Sequence, residues 1–109
     1  MQKLVRDKIP DKIRANGENP NIRIADPAER LILLMDKLTE ESNELKGAIL
    51  GKSKMEIMEE MGDVIEVLNT IRTIYEIDEK QLKEIQTNKA QKNGRFENGI
   101  VLISTSREV

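Results

Sequence analysis

Glu41 and Glu44, and again Glu60 and Asp63, are acids three residues apart, with 15 residues between the two pairs. On a helix such spacing makes each pair neighbours on one face. Steps of four and three from Leu34 give Leu34, Leu38, Glu41, Leu45 and Ala48, and a second such series gives Ile57, Glu60, Val64, Val67 and Ile71. Each is an apolar stripe interrupted by one glutamate, so each helix is expected to carry a carboxylate into its buried seam. Removing an unpaired carboxylate from water costs on the order of several kcal/mol, and crowding four together raises their pKa values unless cations neutralise them. If the two helices pack antiparallel, the acid pairs face each other and form an all-oxygen cage. Oxygen donors of this kind suit hard cations, chiefly Mg²⁺ and Mn²⁺, which are themselves matched to phosphates. The alternative is structural: the acids pair with Lys37, Lys46 or a basic terminal segment and hold the helices in register.

The residues that are missing sharpen this reading. The chain has no His and no Cys, which excludes imidazole ligation, a Ser-His triad, thiolate nucleophiles, disulfides and zinc-finger clusters. A carboxylate di-iron bundle is excluded on the same ground, because it needs Glu-x-x-His pairs.

The elements that must position the acids are marked by capping chemistry. Asp26-Pro27-Ala28-Glu29 combines a cap, a proline at the first helical position and an acid at the third, so a helix is expected from there to about Leu50, with Gly51 stopping it. Ser53-Lys54-Met55-Glu56 repeats the capping box for a helix reaching about Tyr75, and Asp78 opens a third that ends at Gly94. A shorter helix is expected around residues 7–15, with Asp7 as its cap and Pro10 in its first turn. Residues 21–25 and 99–104 have the β-branched and alternating character of strands and are expected to form a short β ribbon. The fold class expected is therefore mainly α, with that ribbon. Leu31, Ile32, Leu33, Leu34 and Met35 cover the whole circumference of a helix, which one face cannot bury; a second copy of the chain is the expected cover.

With 109 residues there is room for one domain, residues 1–109. The net charge of -2 gives no general attraction to nucleic acid or anionic lipid, although residues 26–66 carry 11 acidic side chains against 5 basic ones. Two aromatic rings, Tyr75 and Phe96, are too few for stacking along a single strand. The first ten residues lack an apolar signal core and no run is long enough to span a bilayer, so the expected location is cytoplasmic, with neither nucleic acid nor membrane as partner.

Glu40-Glu41-Ser42-Asn43-Glu44 followed by Glu60-Met61-Gly62-Asp63 resembles the EExxE and ExxD signature of the all-α nucleoside triphosphate pyrophosphohydrolases. More narrowly it is similar to the MazG-like branch, related to phosphoribosyl-ATP pyrophosphohydrolase. The opening from Lys3 to Pro10 and the stretch from Lys89 to Phe96 are similar to that branch as well, so the likeness covers nearly the whole chain. The resemblance implies an all-α NTP pyrophosphatase-like helical bundle, assembled as a homodimer or homotetramer. It implies a Mg²⁺-dependent hydrolase that cleaves a nucleoside triphosphate between the α- and β-phosphates to give the monophosphate and pyrophosphate. Carried over by position, Glu41, Glu44, Glu60 and Asp63 are metal ligands, with Glu40 beside them as the catalytic residue that orients or deprotonates water. Lys89, Lys92 and Arg6 are then expected to hold substrate phosphates. Arg95 joins them through a departure: where the family often reads Arg-Gly-Gly-Phe, this chain has Asn93-Gly94-Arg95-Phe96, with the arginine two places later. The alternatives are a phosphoribosyl-ATP pyrophosphohydrolase and a non-catalytic helical oligomerisation or regulatory module.

Overall fold

A computed structural model describes residues 2–107 of the chain. Its described residues are helical or irregular, with helices α1 (Ile9–Ala15), α2 (Pro27–Gly51), α3 (Lys54–Ile74) and α4 (Glu79–Asn93). The fold is therefore mainly α, as the capping pattern predicts. The chain divides into two compact units, one up to Tyr75 and one from Glu76 onward. Among the described residues no helix is long and apolar enough to cross a membrane.

Three of the helix starts follow directly from local chemistry. The Asp26 carboxylate accepts a hydrogen bond from the Glu29 amide at 2.9 Å, Ser53 Oγ accepts from the Glu56 amide, and Asp78 accepts from the Gln81 amide. Each satisfies an amide that the first turn leaves without an intrahelical partner. Asp26→Ala should therefore cost about 1 kcal/mol of stability, read as a lower urea midpoint at unchanged slope. At α1 the expectation is corrected: the cap position is Lys8 rather than Asp7, and no side chain caps the helix, while Pro10 does lie in the first turn. At the end of α2 the helix includes Gly51, and Lys52 is the residue that turns left-handed, with φ 61°. The Lys52 amide donates to the carbonyls of Ala48 and Ile49, which closes the helix and reverses the chain within two residues.

This tight reversal lays α3 back along α2, the one extensive helix–helix contact among the described residues. The expected seams are the packed ones: Leu34, Ala48 and Val67 are buried, and the remaining apolar members of both series are half-buried. Outside the seam the hairpin remains apolar, with Ile32 and Met35 on α2 and Met58, Met61 and Ile65 on α3 all exposed. The run from Leu31 to Met35 thus divides, with Leu31, Leu33 and Leu34 inward and the other two outward.

The β ribbon is absent, which corrects the reading of residues 21–25 and 99–104: no strand occurs among the described residues. Alternation records that a segment is extended without naming a partner, and two isolated strands are marginal in water. Ile24 is 90 % exposed, and Ile100, Val101, Leu102 and Ile103 are between 77 and 92 % exposed. The first segment is fixed by side chains instead: the Arg23 guanidinium donates to both Glu29 carboxylate oxygens and to Gln2 Oε1.

Candidate metal centre

The α2–α3 hairpin brings the two acid pairs together. Glu41 and Glu44 from α2 and Glu60 and Asp63 from α3 each offer one carboxylate oxygen, and these four atoms lie within 4.8 Å of one another. The packing of the stripes explains the convergence, because Glu41 and Glu60 occupy seam positions and their partners lie one turn further along each helix. Glu41 is 7 % exposed, the one buried charged residue among those described; Glu60 and Asp63 are half-buried and Glu44 is exposed.

The hydrogen bonding is incomplete where it matters most. Glu41 Oε2 and Glu60 Oε2 are both buried and accept no hydrogen bond. Buried polar atoms are nearly always satisfied, so two unpaired acceptors side by side make the cluster suited to a positive partner. Burial pushes the Glu41 carboxyl above the ordinary glutamate range, and hydrogen bonding with Glu44 and its charge add to the rise, while Lys37 opposes it. The donor set, four carboxylates with no nitrogen or sulfur, fits a hard divalent cation such as Mg²⁺ or Mn²⁺.

Protein cations meet part of this charge. Lys37 Nζ lies 3.4 Å from Glu41 Oε1 and 3.5 Å from the Glu40 carboxylate, so Glu40 shares its lysine with the cluster. On the other helix, Arg6 Nη2 donates to Asp63 Oδ1 at 2.7 Å, and its Nη1 stands 3.8 Å from Glu66. Two cations against four carboxylates leave the centre negative. Arg6 from the basic N-terminal segment and Lys37 are therefore ion-pair partners of the acids, as the structural alternative expects; Lys46 makes no ion pair among the described residues. Glu66 was not singled out by the sequence, although its place three residues after Asp63 puts it on the same helical face.

The other sequence candidates lie in the second unit. Lys89 and Lys92 are on α4 and Arg95 follows Gly94, which ends that helix; all three are exposed and make no ion pair among the described residues.

No protein-family model matches the chain, and no solved structure matches it. A 48-residue stretch is 48 % identical to an uncharacterised protein of Mycolicibacterium smegmatis, covering 44 % of this chain and 49 % of that protein. The chain thus spans about half the length of the curated relative it matches, whose name states no activity.

Proposed function

We propose that the protein is a Mg²⁺-dependent nucleotide pyrophosphohydrolase of the MazG-like kind, cleaving a nucleoside triphosphate between its α- and β-phosphates to the monophosphate and pyrophosphate. The observation that carries this is the pair of orphaned buried oxygens, Glu41 Oε2 and Glu60 Oε2, inside a four-carboxylate cluster. Glu41, Glu44, Glu60 and Asp63 hold the cation, with Mn²⁺ able to replace Mg²⁺. A bound divalent cation supplies charge neutralisation at the phosphates and activation of water, the chemistry that phosphoryl displacement needs. Glu40 stands next to the cluster with its carboxylate toward Lys37; the role assigned to it here is to orient water or take its proton. Arg6, which contacts the cluster, is the cation assigned to the polyphosphate, its planar fork suited to phosphate oxygens; for Lys89, Lys92 and Arg95, in the second unit, a phosphate-binding role rests on the resemblance alone. A second copy of the chain covers the exposed apolar face of the hairpin, giving a homodimer or homotetramer.

The purified protein in millimolar Mg²⁺ is expected to release pyrophosphate rather than orthophosphate from at least one member of a panel of nucleoside triphosphates, with phosphoribosyl-ATP included as the narrower enzymatic variant. A second reading rests on the ion pairs Lys37–Glu41 and Arg6–Asp63, which are what a non-catalytic oligomerisation or regulatory module would use to fix helix register. Zero turnover across the whole panel with Mg²⁺ and with Mn²⁺ would favour that module.

A further inference from the structure

Arg6 reaches the centre from outside the α2–α3 hairpin. It lies 57 positions from Asp63, in the segment before α1, yet its guanidinium sits on the carboxylate at 2.7 Å, a shorter ion pair than Lys37 makes with Glu41 at 3.4 Å. The arrangement differs from that of Lys37. Lys37 is on α2 itself, one turn before Glu41, and is half-buried against the helix. Arg6 comes from an irregular segment with its side chain 56 % exposed, and its second contact, to Glu66, is loose at 3.8 Å. A guanidinium on an exposed irregular segment can leave its carboxylate at little cost, whereas a lysine packed along its own helix stays near its acid whatever occupies the centre.

We propose that Arg6 is a counter-ion latch for the metal centre: its guanidinium holds Asp63 while no divalent cation is bound and releases that carboxylate when one binds. The proposal rests on the carboxylate cluster being the metal centre of the preceding reading. A guanidinium held on Asp63 at 2.7 Å neutralises the carboxylate that a divalent cation would use, and the two positive charges repel at that distance, so they compete for Asp63. In the metal-free protein the latch keeps Asp63 turned toward the other three acids and offsets part of their repulsion. Once released, the guanidinium stays tethered to the segment before α1, next to the cluster, with its fork of donors free for an oxyanion such as a phosphate. Metal loading and the exposure of an anion-binding group are thereby one event.

Competition has a sign that a merely structural ion pair lacks. Removing the latch must strengthen metal binding, while removing a supporting pair would weaken it. Titration calorimetry with Mn²⁺ alone on the 109-residue chain tests this. An exposed ion pair of this kind contributes up to about 1 kcal/mol, so Arg6→Gln is expected to tighten Mn²⁺ binding by about two- to fivefold, with Arg6→Lys between the two. In an Asp63→Asn background, Arg6→Gln is expected to change Mn²⁺ affinity by much less, because the competition is for that carboxylate; an equal gain in both backgrounds would reveal a long-range field effect and overturn the latch. In the native protein, Mg²⁺ should move the Arg6 side-chain N–H resonances, and resonances that stay fixed at saturation would also overturn it. If the native protein binds Mn²⁺ and Arg6→Gln leaves the affinity unchanged or lower, the latch fails and the metal centre stands. If the native protein binds no Mn²⁺, both fail together.

Discussion

On the proposed function, Glu41→Gln is expected to lower pyrophosphate release by about 10²–10³-fold while leaving the fold intact, because a divalent cation would contribute several kcal/mol of charge stabilisation that a carboxamide ligand does not retain. Glutamine is isosteric with glutamate and Glu41 is buried in the seam, so the substitution changes charge without opening a cavity. Its effect on the metal-free protein should have the opposite direction from its effect on activity. Burial and Glu44 together hold the Glu41 carboxyl above the ordinary range despite Lys37, so the surroundings on balance disfavour its charge, and a neutral side chain is the better tenant without metal. Urea denaturation in the presence of a chelator is expected to give Glu41→Gln a midpoint equal to or above that of the native protein. A marked loss there would identify the Lys37–Glu41 pair as a structural support, since breaking a buried pair by removing one partner is strongly destabilising.

The second large effect is the response to metal itself. A cation that binds only the folded state stabilises it by about 2.7 kcal/mol at a hundredfold excess over its dissociation constant, so millimolar Mn²⁺ or Mg²⁺ should raise the melting temperature by several degrees. An unchanged melting temperature at saturating concentrations of both ions would sink the metal centre. The pH dependence adds a sign to this prediction. A carboxyl whose pKa is raised in the folded state contributes stability that is fully present below the unfolded pKa and is lost as pH rises through the folded value. For Glu41 the window begins in the ordinary glutamate range and extends above it. Across that window the metal-free protein should lose stability as pH rises, while metal binding, which needs the ionised carboxylate, should strengthen. The melting temperatures with and without Mn²⁺ therefore diverge with rising pH, and Glu41→Gln should flatten the metal-free limb.

How far the sequence alone reaches depends on whether the information is local. Asp26, Ser53 and Asp78 bond to amides three residues ahead, so the helix starts were legible from short windows. The convergence of Glu41, Glu44, Glu60 and Asp63 was legible for a related reason: two stripes of helical period joined by a short reversal leave only one way to close the hairpin. At the reversal the signal was off by one residue, because Gly51 has the expected chemistry for a left-handed turn but Lys52 adopts it. Ile22, Ile24 and Ile100 to Ile103 advertise an extended backbone and carry no information about what lies beside it, so the expected ribbon has no counterpart among the described residues. The pairing of Arg6 with Asp63 has no local signature whatever, because it joins an irregular segment to the middle of α3 across most of the first unit.

The two-residue reversal at Lys52 and Ser53 also governs which changes in chain length the protein can tolerate. One residue inserted in α3 ahead of Glu60 would swing every later side chain by about 100° about the helix axis, carrying Glu60 and Asp63 off the face that meets α2. Relatives that keep the carboxylate quartet should therefore gain or lose residues at the hairpin's tip or in whole turns shared by both arms, never singly between an acid and the bend.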